Sequence, residues 1–162
     1  MRHIVSVMLE NESGALSRVA GLFSARGFNI DSLTVAPTND DTLSRMTIVS
    51  VGDDNIIDQI VKQLNKLVDV VEVRDLTSCE HVERELMLLK LSVNNNNQAD
   101  IVKQIDEFSG KIVDVSEDTY TVELAGQSKN LDAFVGALDQ SLIIEVSRTG
   151  VTGVIKGNNN NL

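Results

Sequence analysis

The sequence of 162 residues predicts an α+β protein made of two ferredoxin-like βαββαβ domains in tandem. The same order of patterns occurs twice: a strand, an amphipathic helix, two strands joined by a polar turn, a second helix and a closing strand. The helices carry apolar residues at i, i+3, i+4 and i+7, whereas the strands alternate or run continuously apolar. Each repeat spans about 75 residues, which is enough to enclose a core of its own.

The first repeat is predicted over residues 1–76. It begins with a strand at 3–9 and a helix at 14–26, whose apolar face is formed by Leu16, Val19, Ala20 and Phe23. The elements that follow are hairpin strands 30–37 and 43–51, a helix capped by Asp53 or Asp54, and a strand at 70–76.

The second repeat is predicted over residues 86–157, after a polar linker at 77–85. Its elements are strands at 86–93, 111–115, 120–124 and 143–147, a helix carrying Ile101, Val102, Ile105 and Phe108, and a helix capped by Ser128. The sequence also contains two asparagine tracts, one within this repeat and one after it. The tract at 94–97 is interpreted as a strand-to-helix connection, and residues 158–162 as a frayed tail.

The strands of the first hairpin predict that this protein associates with itself. Leu33, Val35, Leu43, Met46, Ile48 and Val49 place apolar groups on alternate sides of the sheet, more than one pair of helices is expected to cover. A small domain with an uncovered sheet face and an unpaired edge strand is suited to pairing with a second copy. We therefore expect a homodimer formed through the N-terminal domain.

Composition excludes several kinds of partner. The net charge of −10 gives no positive footprint for nucleic acid, and four phenylalanines with one tyrosine offer few surfaces for base stacking. No apolar run approaches the ~20 residues that cross a bilayer. The N-terminus shows no signal segment, and a single cysteine, Cys79, cannot form an internal disulfide, so we expect a cytoplasmic protein without metal or nucleic acid.

The sequence lacks the common catalytic motifs. It contains no GxGxxG, GxxxxGK[ST], HExxH or GxSxG, and its two histidines have no serine or cysteine at an informative spacing. Its carboxylates lie singly on predicted polar helix faces. A small metabolic enzyme on a ferredoxin-like scaffold therefore remains the weakest hypothesis.

One turn has the properties of a ligand site. Asn11 precedes the first helix, and Gly14, Ala15 and Leu16 lie at its first turn, where backbone N–H groups lack intrahelical acceptors and favour carboxylates. A free amino acid fits these groups, with its carboxylate on the N–H groups and its ammonium on an amide oxygen. The residues are equally compatible with Asn11 stabilising the turn and Gly14 permitting it.

A second asparagine, Asn29, follows the same helix and is next to Ile30. At 1.5 Å per residue it lies roughly 20 Å from Asn11, too far to share one small ligand within a domain. If two copies pair antiparallel along the edge strand that begins near Ile30, the Asn29 end of one copy meets the Gly14 end of the other. The sequence thus predicts two half-sites that dimerisation completes.

The stretch "MLENESGALSRVAGLFSARGFNIDSLTVAPT" resembles the N-terminal ACT domain of the regulatory (small) subunit of acetohydroxyacid synthase, also called acetolactate synthase, with Met8 where leucine is commoner. The resemblance continues through "LSRMTIVSVGDD", "HVERELMLLKL", "YTVELAGQSKNLDAF" and "EVSRTGVTGV" and covers nearly the whole chain.

The resemblance implies a noncatalytic subunit of branched-chain amino-acid biosynthesis. It implies a large catalytic subunit as partner, which would be activated by this chain and carry the thiamine diphosphate, magnesium and FAD. It also implies feedback inhibition by valine, held by Asn11, Gly14, Ala15 and Leu16 of one copy and by Asn29 and Ile30 of the other. The alternative is a free-standing ACT protein that senses an amino acid and controls another target.

Overall fold

A computed structural model describes residues 1–157, and the predicted tail at 158–162 lies outside the described residues. The contacts divide the chain into two compact units, Glu83–Gly150 and the unit formed by Met1–Val82 with the segment that begins at Val151. Each unit contains the predicted βαββαβ order, with a four-stranded antiparallel arrangement and two helices. The described residues include no helix long and apolar enough to cross a membrane.

The first unit contains one antiparallel sheet in the order β2-β3-β1-β4, so β2 and β4 are its edges. Its elements are β1 (Arg2–Glu10), α1 (Ala15–Ala25), β2 (Ser32–Pro37), β3 (Leu43–Val51), α2 (Asp54–Leu64) and β4 (Val70–Asp75). Strand β2 begins two residues later than predicted, because Asn29 and Asp31 form a local hydrogen bond before the strand starts.

The core of the first unit lies between the sheet and the two helices. Its buried residues are Val5, Val7, Leu9, Ala15, Val19, Phe23, Met46, Ile48, Ile57, Ile60 and Leu64. The alternation of β1 and the helical spacing of α1 and α2 supply these side chains, as the sequence predicts. The Asp53 carboxylate caps α2 by accepting the Ile56 N–H at 2.9 Å.

The other face of this sheet is mainly polar, so the prediction of a large apolar second face is wrong. Leu33, Met46 and Ile48 all belong to the helix-side core, because the pairing register aligns them on one face. On the opposite face Ser6 is opposite Thr47, and the Arg45 Nη1 donates to the Ser6 hydroxyl at 2.9 Å. The apolar groups of the hairpin therefore give no support to stacking of this face on a second copy.

The segment after residue 150 covers a small apolar cluster on that second face. Ile4, Val49 and Leu76 pack with Val151 and Ile155 from the segment that carries β9 (Thr152–Ile155), a strand the sequence pattern did not predict. This segment groups with the first unit, whereas the predicted second domain extends to residue 157. A Cβ at Gly153 would lie 2.8 Å from the Leu76 Cδ1, so this position packs closely against Leu76.

The second unit repeats the arrangement, with strand order β6-β7-β5-β8. Its elements are β5 (His81–Ser92), α3 (Gln98–Glu107), β6 (Lys111–Val115), β7 (Thr119–Gly126), α4 (Ser128–Ala137), a 3-10 turn (Gln140–Leu142) and β8 (Ile143–Arg148). Strand β5 begins inside the predicted polar linker, since it pairs with β9 as well as with β7 and β8.

Two local predictions in the second unit have different outcomes. The asparagine tract does connect β5 to α3, because the Asn94 Oδ1 accepts the backbone N–H groups of Asn96 and Asn97. Ser128 was predicted to cap α4, but it is the first helical residue and donates its hydroxyl to the Glu85 carboxylate at 2.8 Å. The N-cap position is occupied by Gln127, whose side chain forms no capping hydrogen bond.

Candidate functional site

The turn between β1 and α1 has the geometry of an anion site. Gly14 adopts φ 90°, a left-handed conformation that favours glycine, and α1 begins at the next residue. The Ala15 N–H donates to the Glu12 carbonyl at 3.2 Å, so the turn itself uses one of the predicted donors. Within residues 1–157, the N–H groups of Leu16 and Ser17 have no acceptor, which leaves two donors at the positive end of the helix dipole.

Asn11 ties this turn to the β2–β3 connection. Its backbone N–H donates to the Thr42 carbonyl at 2.7 Å, and its side-chain Nδ2 donates to the Asp41 carbonyl at 2.9 Å. Asn11 therefore does stabilise the turn, which is one of the two roles that the sequence left open. These bonds use the backbone N–H and one side-chain N–H of Asn11, and its side-chain oxygen can still accept a hydrogen bond from an ammonium group.

A shallow depression of about 430 Å³ lies beside Asn11. It is lined by Glu10, Asn11, Glu12, Asp41, Thr42 and Leu43. Three carboxylates in this lining favour a positively charged group over an anion. Donors on the helix side and carboxylates on the depression side together suit a ligand that carries both charges, as a free amino acid does.

An ion pair holds the start of α1 against the turn that precedes β4. The Arg18 Nη2 donates to the Asp69 Oδ1 at 2.7 Å, and the Nε donates to the other carboxylate oxygen. The hydrogen bonds from Arg18 hold the pKa of the Asp69 carboxyl below its ordinary value, although burial of this carboxyl opposes the shift. Asp69 is 5% exposed, and its backbone carbonyl accepts the Glu10 N–H at 2.8 Å.

Asn29 and Ile30 lie beyond the opposite end of α1. After α1 ends at Ala25, Gly27 adopts φ 67°, and the N–H groups of Gly27 and Phe28 donate to carbonyls of the last helical turn. Phe28 also packs edge-on against Phe23. Asn29 is exposed, and its Nδ2 donates to the Asp31 carboxylate at 2.6 Å, whereas its carbonyl accepts from the buried Ser50 hydroxyl at 2.6 Å. Ile30 is half-buried against the core.

The structure therefore brings the predicted site residues together as two groups. Asn11, Gly14, Ala15 and Leu16 surround the beginning of α1, whereas Asn29 and Ile30 follow its end. The helix contains 11 residues, which separates its ends by about 16 Å. A single copy does not unite the two groups around one small ligand.

Sequence reasoning missed Arg18 and Asp69. Arg18 is four residues after Gly14, a spacing that places its side chain over the first turn of the helix and that could have indicated it. Its partner in the α2–β4 turn has no such local signal. Among the described residues, no cluster of three or more histidine, cysteine, aspartate or glutamate side chains could hold a metal ion.

The strand order of the first unit, its two helices on one face and the glycine turn before α1 define a protein of the ACT-domain class. Residues 5–72 match the family described as the AHAS small subunit-like ACT domain, and residues 84–157 match the family described as the small subunit of acetolactate synthase. The chain belongs to the family of acetolactate synthase small subunits, which confirms the resemblance found in the sequence.

Relatives match over nearly the full chain. The acetolactate synthase isozyme 3 small subunit of Salmonella typhimurium is 56% identical over 97% of this chain and 97% of its own. The probable acetolactate synthase small subunit of Archaeoglobus fulgidus is 44% identical over 98% and 99%. The crystal structure of the small subunit from Thermotoga maritima aligns with a TM-score of 0.89 at 38% identity, over 98% of this chain and 99% of that one. The ferredoxin-like fold of both units agrees with this likeness.

Proposed function

We propose that this chain is a noncatalytic cytoplasmic subunit that activates the catalytic subunit of acetolactate synthase and confers feedback inhibition by valine. Family membership over nearly the full chain supports the regulatory role. In this proposal, the large catalytic subunit carries the thiamine diphosphate, magnesium and FAD. The branched-chain amino acid then acts on the small subunit and not at the catalytic centre.

The observation that carries the valine proposal is the pair of free N–H groups at Leu16 and Ser17, next to the left-handed Gly14. The ligand carboxylate accepts these donors, because the dipole of α1 favours an anion there. The ligand ammonium turns towards the Asn11 side-chain oxygen and the carboxylates of the neighbouring depression. Leu16, which is 43% exposed, supplies apolar surface for the isopropyl group.

A homodimer completes the site in this proposal. The strand β2 begins at Ser32, two residues after Ile30, and it is an edge of the sheet, where a second copy can pair. Antiparallel pairing places the Asn29 end of one copy near the Gly14 turn of the other. Each dimer then has two equivalent valine sites, as a twofold axis requires.

Reconstitution with the cognate catalytic subunit tests the regulatory role. Acetolactate formation is measured for each protein alone and for the mixture, with thiamine diphosphate, magnesium and FAD, while valine is increased. We expect no product from this chain alone, a higher rate for the mixture, and a fall of that rate with valine. Product from the purified chain, or a mixture that is no faster than the catalytic subunit, contradicts the proposal.

The same experiment distinguishes the proposed function from the alternative one. If the chain binds valine but neither binds nor activates the catalytic subunit, it is a free-standing amino-acid sensor that controls another target. Binding of the catalytic subunit to the immobilised chain provides the readout that is independent of turnover.

A further inference from the structure

We propose that Arg18 binds the α-carboxylate of the effector directly through its Nη1 group, and that Asp69 positions the guanidinium for this contact. The inference rests on the proposed amino-acid site at Gly14. It adds a cationic side chain to the part of the site that binds the carboxylate, where the proposal so far has only backbone donors, and it assigns to that residue the selection of ligands with a free carboxylate.

The geometry separates the three nitrogens of the guanidinium by role. Nε and Nη2 both donate to the Asp69 carboxylate, Nη2 at 2.7 Å. Nη1 faces the other way, because it lies 2.9 Å from the position that a Cβ of Gly14 would occupy, whereas Cζ and Nη2 lie 3.6 and 3.8 Å from it. Nη1 has no acceptor in the described part of the chain. The free donor of the arginine therefore points at the turn where the ligand carboxylate is proposed to lie.

Asp69 gives this arginine a fixed orientation. The Asp69 side chain is 8% exposed, and the backbone carbonyl of the same residue accepts the Glu10 N–H at the end of β1. A two-point contact with a buried carboxylate fixes the plane of the guanidinium, which a lysine could not reproduce. The Arg18 side chain is 46% exposed, so its outer edge remains accessible to a small molecule.

A cationic side chain at this position lets the site distinguish a carboxylate from a neutral amide group. Backbone N–H groups bind a carboxylate or an amide carbonyl in the same geometry, whereas a guanidinium forms a stronger, charge-assisted hydrogen bond to a carboxylate. Arg18 is thus the group expected to separate valine from valinamide, which has the same side chain and amine but a neutral amide. Without Arg18 the two ligands become more nearly equivalent.

Calorimetric titration of the full chain with valine and with valinamide tests the inference. The proteins are the wild type, Arg18→Gln, the double variant Arg18→Gln/Asp69→Asn, and Arg84→Gln as a control that removes an exposed arginine of the other unit. We expect wild type and control to bind valine at least tenfold more tightly than valinamide. Arg18→Gln should weaken valine binding at least tenfold and valinamide binding by no more than about twofold.

The double variant keeps the test valid if Arg18→Gln alone fails to fold, because it removes the unpaired buried carboxylate as well. In this double variant the ratio of valine affinity to valinamide affinity should fall as it does in Arg18→Gln. Its melting temperature should stay close to that of the wild type. If the ratio of valine to valinamide affinity is unchanged in a folded variant, or if both ligands lose affinity equally, Arg18 does not have this role. The proposed valine site is not affected by that result. If the wild type binds no valine, the proposed function fails and this inference fails with it.

Discussion

Glu85 accepts two hydrogen bonds from the guanidinium of Arg148, at 2.9 Å from Nε to Oε1 and 2.8 Å from Nη2 to Oε2. Glu85 lies near the point where β5 enters the second unit, and Arg148 is the last residue of β8. Burial alone would raise the pKa of Glu85, but the hydrogen bonds from Arg148 and Ser128 hold that pKa below its ordinary value. The pair therefore joins the two ends of the second unit.

Glu85→Gln is expected to lower the free energy of unfolding of the second unit by about 1.5–3 kcal/mol, because a buried charged acceptor of three hydrogen bonds is lost. Urea unfolding, followed by circular dichroism, measures the change. The control is Glu107→Gln, which removes an exposed carboxylate 3.9 Å from Lys103 and should change stability by no more than about 0.5 kcal/mol. Equal effects of the two substitutions would contradict the role given to Glu85.

The lowered pKa values of Asp69 and Glu85 predict a loss of stability in acid. Each carboxyl has a lower pKa in the folded than in the unfolded chain, so its stabilising effect is complete above the unfolded value, about 3.9 for aspartate and 4.3 for glutamate. That effect is lost as the pH falls through the folded value. Urea midpoints at pH 7, 5 and 3 should fall mainly in the last step, and less steeply for Asp69→Asn and Glu85→Gln. Parallel pH profiles for variants and wild type would refute this assignment.

Val151→Ala is expected to destabilise the first unit by about 2 kcal/mol, because Val151 is 2% exposed in the cluster with Ile4, Val49 and Leu76. Val154→Ala, in the strand β9 that directly follows Val151, is the matched control, since Val154 is 59% exposed, and should change stability by no more than about 0.5 kcal/mol. Thermal unfolding compares them. If Val151→Ala proves as mild as Val154→Ala, the segment after residue 150 does not contribute to that core.

Mixing two inactive variants tests whether the site is shared between copies. Asn11→Ala and Asn29→Ala should each abolish valine binding, because every site of either dimer then lacks one half. In a mixture that has exchanged subunits, each mixed dimer regains one intact site, so about a quarter of the wild-type stoichiometry returns. Calorimetry gives the stoichiometry, and light scattering shows that dimers are present. A mixture that binds no more valine than its components would place both asparagines outside a shared site.

The sequence was sufficient for features that depend on local pattern. The spacing of apolar residues predicted the four α-helices found in residues 1–157, and of the two aspartates proposed as the α2 cap, Asp53 forms it. The βαββαβ order of elements in both units agrees with the repeat predicted from the sequence. In each case residues close together in the chain determine the structure.

Features that depend on distant partners were not predictable. The pairing register alone decides that Met46 and Ile48 share one face with Leu33, and no local pattern reports that register. Strand β9 has only four residues, and it packs on Ile4 and Leu76, which are far away in the sequence. Arg18 shows why the candidate site was incomplete: its partner Asp69 is 51 positions away.

The most direct test of the valine site compares Gly14→Asp with Gly21→Asp in the reconstituted enzyme. Gly14→Asp places a side chain at φ 90°, which we expect to cost about 1–2 kcal/mol of stability, and sets a carboxylate next to Nη1 of Arg18, where the ligand carboxylate is proposed to bind. Gly21 lies on the same helix with no atom within 4 Å of an added Cβ, so Gly21→Asp controls for the added charge.

The measurement is acetolactate formation against valine concentration for the catalytic subunit combined with wild type, Gly14→Asp or Gly21→Asp, each confirmed as an intact dimer by light scattering. The account predicts that Gly14→Asp still activates the catalytic subunit but needs at least tenfold more valine for half-inhibition, whereas the Gly21→Asp curve coincides with that of the wild type. A Gly14→Asp enzyme inhibited at the same valine concentration as the wild type would contradict a valine site on this turn.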